Sequence, residues 1–400
     1  MRVMVSALPG AGHLFPTVPL AWALRSGGHE VLVATAAEGV DLAVRAGFPV
    51  VDTAPGVDFA AIFSRHWGDP PTGRAESLAA QGQEFAAAAG TRTPDRVFKM
   101  FAEVSSPMAD QMLRVARHWR PEAVIYSRLQ AAGLLVASAL DIPAIEHGVG
   151  FVREAGFAQR FVSFLGPIYE RNRIPLDPPR VVSIHLAPPE MMVGDGDGWP
   201  MRYVPYNAGG PLPPWLTAPA ARPRVVVTLG TVVPGSVGVG SLAPVLAAAA
   251  DLDVEFILAL GEGADLDALR PLPANVRPVG WVPLAALLAG AAAVVHHGGS
   301  GSTLTALTAG IPQLVLPHAF DQFINAQAVA GYGCGLLREP ATVDAAVLAG
   351  LVGDAPLRAS AQAAAQRVAG MPAPASLVPR IEALAGTAIA TATVADTPAS

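Results

Sequence analysis

The stretch "VVHHGGSGST", residues 294–303, sets two histidines, three glycines and three hydroxyl side chains directly behind a pair of valines. Glycine lets the main chain approach a guest without a Cβ in the way, so Gly298, Gly299 and Gly301 can converge their N–H groups while Ser300 and Ser302 add hydroxyls. A helix opening at that point contributes partial positive charge, and the natural guest is an anion with several oxygens, such as a diphosphate. His297 stands beside it as a hydrogen-bond donor to a phosphate oxygen. The plainer reading is a tight strand-to-helix turn with ordinary loop histidines. No Lys follows the last glycine, which separates the loop from the kinase-type phosphate loop. Near the start, Gly10-Ala11-Gly12 has Phe15 where a dinucleotide fingerprint needs its third glycine, and no acidic residue closes "EVLVAT", which argues against a dehydrogenase. Asp195-Gly196-Asp197 resembles a metal-binding triplet, but in a Gly-rich loop it reads as turn chemistry, and no metal is expected.

The glycine loop needs a strand behind it and a helix ahead of it, and the neighbouring sequence supplies both. "AAAVV" reads as a strand and "STLTALTAG" as a helix, which puts the loop at the carboxyl end of a parallel sheet, where such folds bind ligands. The same alternation runs through "RVVVTLGT", "SLAPVLAAAADL", "DVEFILALG", "PLAALLAG" and "QLVLP". An earlier series does likewise, with strands in "RVMVSAL", "EVLVAT", "PEAVIYS" and "IPAIEHG" and helical segments between them. Residues 59–99 read as less regular. Between Tyr203 and Arg224 the chain is too dense in proline for an element interior. The expected division is therefore residues 1–203, a Pro/Gly-rich linker over 204–223, residues 224–370, a helix over 371–386 and a poorly ordered tail over 387–400. The fold class is α/β, two doubly wound Rossmann-like domains.

Four hundred residues with 52% hydrophobic content suit two cores rather than one. The net charge of −6, without a run of Lys or Arg, excludes a nucleic-acid partner and leaves a small molecule as the expected ligand. Cys334 is the single cysteine, so no internal disulfide forms, and Pro9 and Gly10 interrupt any signal-peptide core, which points to the cytoplasm. The longest uncharged apolar stretch, Pro278 to Val295, is punctuated by Gly280, Pro283 and Gly290 and is not expected to span a membrane. Composition leaves a homodimer open.

The segment from "GWVPLAALLAG" through "VVHHGGSGST" to "PHAFDQFINAQAVAGYGCGL", together with "LPGAGHLFP", "MRYVPYN" and "VVVTLGT", resembles the bacterial natural-product glycosyltransferases of the GT-B class. It is most similar to the actinomycete enzymes that place deoxysugars on antibiotics, of the calicheamicin and macrolide type. The resemblance implies a donor, a thymidine or uridine diphosphate sugar, held by the second half, and an acceptor held by the first. Trp281 matches the residue that stacks on the nucleotide base, and the Val282 backbone can bond its edge. Leu284 stands where plant members carry Gln. His297, Gly298, Gly299, Ser300, Gly301 and Ser302 match the diphosphate cradle, with Thr231 as a second phosphate contact. Asp321-Gln322 matches the pair that reaches the donor sugar's hydroxyls, although Asp321 at a helix start also reads as an N-cap.

His13 in "GHLFP" matches the general base that takes the acceptor's proton, with the helix N-terminus expected to keep it neutral. Many relatives orient this histidine with an aspartate where this chain has Ser127, so Asp110, Ser127 and Glu146 are the candidate partners. The acceptor half offers apolar candidates in Phe59, Phe63, Trp67 and Phe85, and further along in Met108, Phe151 and Phe157, which suit a bulky aglycone or simply a core. The expected reaction is inverting transfer of a sugar to an aglycone hydroxyl, without a cofactor. The alternatives are a non-catalytic partner of another transferase, which would show a damaged donor site, and a nucleotide-sugar epimerase.

Overall fold

The computed structural model describes residues 1–67, 74–88, 92–261 and 264–395. A seven-stranded parallel sheet is built from β1 (Arg2–Ser6), β2 (Glu30–Thr35), β3 (Val50–Asp52), β4 (Ala123–Ser127), β5 (Ala144–His147), β6 (Val181–His185) and β7 (Trp199–Pro200). A six-stranded parallel sheet follows, with β8 (Arg224–Thr228), β9 (Glu255–Ala259), β10 (Val276–Val279), β11 (Ala293–His296), β12 (Gln313–Val315) and β13 (Gly335–Leu337). Helices cover both faces of each sheet, so the central strands are continuous apolar runs such as "VMVS" and "VVVT" rather than alternating ones.

The order of strands decides where function can sit. In the first sheet it is β3-β2-β1-β4-β5-β6-β7, and in the second β10-β9-β8-β11-β12-β13. Chain direction around the sheet reverses between β1 and β4, and again between β8 and β11, and a crevice opens at the carboxyl ends of strands at such a reversal. His13 follows β1 and Ser127 ends β4, while Thr231 follows β8 and the glycine loop follows β11. The two crevices face one another, because the segment leaving β5 touches the loop leaving β11. A Cβ on Gly150 would lie 2.4 Å from Ser300 Oγ. A second close approach brings the helix Arg74–Ala88 over the Asp321 segment, where a Cβ on Gly82 would meet the Phe323 ring at 2.5 Å and the Phe320 nitrogen at 2.9 Å.

The connection over 204–223 is ordered mainly by contacts, its one regular element being the short helix Pro214–Thr217. Tyr206 meets Phe15 and Trp22 edge-on, at centroid distances of 4.9 and 5.1 Å, and Asn207 Oδ1 accepts from the Ala285 N–H at 2.9 Å. The chain then returns to the first half. Arg202 N donates to Pro372 O at 2.7 Å, and the helix Pro374–Ala395 packs on the helix Val18–Ser26, with Gly27 leaving room for Val378.

Several elements differ from the sequence reading. The first helix is broken into Ala11–Leu14, a tight turn over Phe15–Thr17 and Val18–Ser26, because Pro16 and Pro19 lack N–H groups. The stretch read as irregular carries the helices Phe59–Trp67, Arg74–Ala88 and Asp95–Trp119. Alanine in the second of these sustains a helix on propensity without marking an apolar stripe. The last helix runs to Ala395, well beyond 386, its continuation again rich in alanine. The end of the expected tail, 396–400, lies outside the described residues.

Candidate active site

His13 is half-buried at the start of the broken first helix, and its Nδ1 lies 3.0 Å from Ser127 Oγ. Of the three candidate partners, Ser127 alone has this contact. Glu146 pairs across from Tyr126, one residue out of step with Ser127, so its side chain leaves the opposite face of the sheet. There it accepts from Tyr126 Oη at 3.2 Å and lies 3.9 Å from Arg128 Nε, and burial raises its pKa. Asp110 is held on the surface by Arg171 Nε at 3.0 Å and Asn172 Nδ2 at 2.8 Å. Burial, rather than the helix end, lowers the His13 pKa to about 4, so the ring is neutral near pH 7. When Nδ1–H donates to Ser127, Nε2 keeps a lone pair for a proton. The Phe101 ring meets His13 edge-on at 6.2 Å, and Phe63 packs on Phe101 at 6.3 Å, giving the base an apolar wall.

The glycine loop is more tightly prescribed than its sequence suggests. His296, the first of the two histidines, accepts from the Gly298 N–H through Nδ1 at 3.0 Å and bonds Gln313 Oε1 through Nε2 at 2.9 Å. That fixes its tautomer, with the hydrogen on Nε2. It also removes the Gly298 N–H from the set that can meet an anion. Gly298 serves through its conformation instead, at φ +88°, and a Cβ there would strike Val315 and Gln322. Gly299 is the N-cap of the helix Ser300–Ala309, whose first N–H groups have no partner within the helix and are the donors left for a ligand. His297 lies between Gly230 and Gly299, where added Cβ atoms would come within 2.5 and 2.3 Å of its ring. Its pKa is lowered to about 3, first by burial and then by the neighbouring His296 and His318, and its Nδ1 is buried without a partner.

Ser300 does not offer its hydroxyl outward as the sequence suggested. Its Oγ donates to Asp321 Oδ2 at 2.7 Å. Asn325 joins them from one helical turn along, with Nδ2 at 2.8 Å from Gly298 O, 3.0 Å from Ser300 Oγ and 3.1 Å from Asp321 Oδ2. Asp321 occupies the N-cap position of the helix Gln322–Tyr332, yet its carboxylate makes no capping bond, and burial raises its pKa. Gln322 Oε1 accepts from the His318 and Ala319 N–H groups at 2.8 and 3.1 Å, so its amide oxygen shapes the loop and only its NH2 remains for a ligand. Ser302 is half-buried in the first turn of the helix, and Thr231 is exposed in the loop after β8. Trp281 is 41% exposed, unlike a core tryptophan, while the adjacent Val282 packs on the cluster around Leu287 and Val294.

The apolar candidates of the first half divide. Met108, Phe151 and Phe157 are fully buried, Met108 sulfur accepting from Gln130 Nε2 and Phe157 lying under the Arg128 guanidinium, so they are core. Phe59 is also buried, whereas Phe63 and Phe85 are half-buried. Trp67 ends its helix with a side chain outside the described residues. Asp195 Oδ1 accepts from the Ala155 N–H at 3.1 Å, as a turn residue would. Among the described residues no group of three His, Cys, Asp or Glu side chains is arranged to hold a metal ion, and no helix is long and apolar enough to cross a membrane.

Sequence reasoning missed Asn325, His296 and Phe101. Asn325 had a signal, since it stands four positions after Asp321 on one helix and so shares its face. His296 and Phe101 are set by tertiary packing and had none.

Residues 22–230 match the N-terminal domain, and residues 243–384 the C-terminal domain, of the family described as erythromycin biosynthesis protein CIII-like. The elloramycin glycosyltransferase ElmGT of Streptomyces olivaceus is 40% identical, the alignment covering 96% of this chain and 98% of that one. The crystal structure of the glycosyltransferase SnogD from Streptomyces nogalater superposes with a TM-score of 0.82 at 39% identity, covering 96% of this chain and 99% of the other. The spinosyn rhamnosyltransferase SpnG in complex with thymidine diphosphate superposes with a TM-score of 0.77 at 31% identity, covering 96% of this chain and 100% of the other.

Proposed function

The chain belongs to the EryCIII-like glycosyltransferases of antibiotic biosynthesis, a GT-B fold, and we propose that it moves a deoxysugar from thymidine diphosphate, with inversion, to a hydroxyl of a bulky, largely apolar aglycone. The observation that carries this reading is the His13 ring, neutral and half-open, held through Nδ1 by Ser127 at the carboxyl end of β4. The acceptor oxygen attacks the anomeric carbon as its proton passes to His13 Nε2. The bond from that carbon to the phosphate oxygen breaks, and the nucleoside diphosphate leaves with the electron pair. Base and leaving-group site lie on opposite halves, an arrangement that suits attack from the side away from the leaving group.

The departing charge meets the N-terminal amides of the helix Ser300–Ala309, with the neutral His297 ring beside them. Thr231 adds a contact from the loop after β8, Trp281 offers its exposed face to the base with the Val282 backbone at its edge, and Asp321 and Gln322 take the sugar's hydroxyls. Thymidine is favoured because SpnG, 31% identical, is solved with thymidine diphosphate. The apolar aglycone is favoured by Phe63 and Phe101 beside the base.

The test has two arms. Thymidine diphosphate at one hundred times its dissociation constant is expected to stabilise the chain by about 2.7 kcal/mol, and more than uridine or adenosine diphosphate at the same concentration. The change His13→Ala is expected to lower turnover by about 10²- to 10⁴-fold while leaving that stabilisation intact. Near-native turnover would remove His13 from the reaction.

A further inference from the structure

The segment 148–152 leaves β5 in the first half and runs against the glycine loop of the second. A Cβ built on Gly150 would lie 2.4 Å from Ser300 Oγ and 3.5 Å from Asn325 Oδ1. A free serine hydroxyl rotates away from an intruding methyl group. Ser300 is not free, because it donates to Asp321 Oδ2 at 2.7 Å and accepts from Asn325 Nδ2 at 3.0 Å. The strap on the other side is also fixed. Val152 bridges to Val193, and its carbonyl oxygen accepts from Arg128 Nη1. Arg128 is itself only 7% exposed, with its guanidinium 4.1 Å from the Phe157 ring centroid. Two consecutive residues at the end of β4 thus set two different things: Ser127 holds the His13 ring, and Arg128 holds the strap that reaches Ser300.

We propose that Gly150 is a positioning residue for sugar transfer. Its missing side chain lets the strap seat on Ser300, which fixes the separation between His13 on one half and the amides of the glycine loop on the other. The proposal rests on the roles given to His13 and the glycine loop above. A methyl group at 150 has two outlets. It either drives Ser300 Oγ off Asp321, or it holds the strap, and with it the first half, away from the donor. Both misplace the reacting groups, and a misplacement of about 1 Å can cost about 10²-fold in rate.

The experiment is a double-mutant cycle on the full chain: Gly150→Ala, Ser300→Ala and the pair, each assayed for kcat, KM, melting temperature and stabilisation by thymidine diphosphate. Removing the hydroxyl leaves the Ser300 Cβ at 3.4 Å and Asn325 Oδ1 at 3.5 Å from the added carbon, both ordinary contacts. Gly150→Ala is therefore expected to lower kcat at least about tenfold in the native background and less than about threefold on top of Ser300→Ala. Its melting temperature is expected to fall by a few degrees at most, the chain staying folded and still stabilised by thymidine diphosphate. Native turnover in Gly150→Ala, or an equal loss in both backgrounds, overturns the proposal. If Gly150→Ala does not fold, a folded double variant with the turnover of Ser300→Ala supports the proposal, and a double variant that also fails to fold overturns it. Full turnover in His13→Ala sinks the base assignment alone, since the cycle reads the contact between 150 and 300 whichever group takes the proton.

Discussion

Ser300 and Asp321 form one unit: the hydroxyl at the head of the helix Ser300–Ala309 donates to the Asp321 carboxylate at 2.7 Å. The loop given to the leaving group and the residue given to the sugar are therefore positioned by the same hydrogen bond. Asn325 completes the unit by donating to both, and to the Gly298 carbonyl.

Asn325→Ala is expected to raise the donor KM and to move the acid limb of kcat/KM for the donor to higher pH. Burial already raises the Asp321 pKa, and the bonds from Ser300 and Asn325 hold it down, so removing one of them raises it further. A protonated Asp321 loses half its capacity to accept from sugar hydroxyls. A purely structural role for Asn325 predicts a loss of kcat/KM that is equal at every pH, and that outcome counts against the coupling.

Ser127→Asp is expected to raise the His13 pKa, because a carboxylate near Nδ1 stabilises the imidazolium that serine does not. With the native value near 4, turnover has no acid limb from His13 in the neutral range. The variant gains one as its folded-state value climbs toward or beyond about 6.5, and it extends transfer to less acidic acceptor hydroxyls. An unchanged pH profile would leave Ser127 without an influence on the base.

His296 and His297 make stability depend on pH. Their folded-state values of about 4 and about 3 lie below the unfolded value of about 6.5, so the unfolded chain binds more protons as the pH falls. Their contribution is complete above about 6.5 and is lost on the way down, to about 4 for His296 and about 3 for His297, at up to about 1.4 kcal/mol per pH unit for each. Glu146 and Asp321, raised by burial, act with the opposite sign. Melting curves from pH 7 to pH 4.5 are expected to show a falling midpoint, and a smaller fall in His296→Gln. A flat midpoint in the native chain contradicts this.

Both switch points were legible in the sequence because each is marked by a short apolar strand, a glycine and a helix start, as "RVMVSALPGAGH" shows for the first sheet and "VVHHGGSGST" for the second. The outer strands β3, β6, β7, β10 and β13 were not, since toward the sheet edges they are only partly buried and polar or proline residues such as Asp52, Ser183, Arg277 and Pro278 break their apolar runs. At the site, residue types that face a ligand could be named from order and spacing. What holds them could not. Gly298 looked like an anion donor until its N–H was found on His296, and the choice among Asp110, Ser127 and Glu146 turned on which face of a sheet each side chain leaves.

The crossing of Pro374–Ala395 back to the first half bears on attempts to build hybrid enzymes. That helix sets Arg380 4.2 Å over the Trp199 ring, and just ahead of it Arg367 Nε bonds Glu190 Oε1 at 2.6 Å. A chimera cut once in the proline-rich connection would seat a foreign terminal helix on the native acceptor half. Grafting a new donor specificity needs two junctions, the second near residue 372, so that the terminal helix travels with the half it covers.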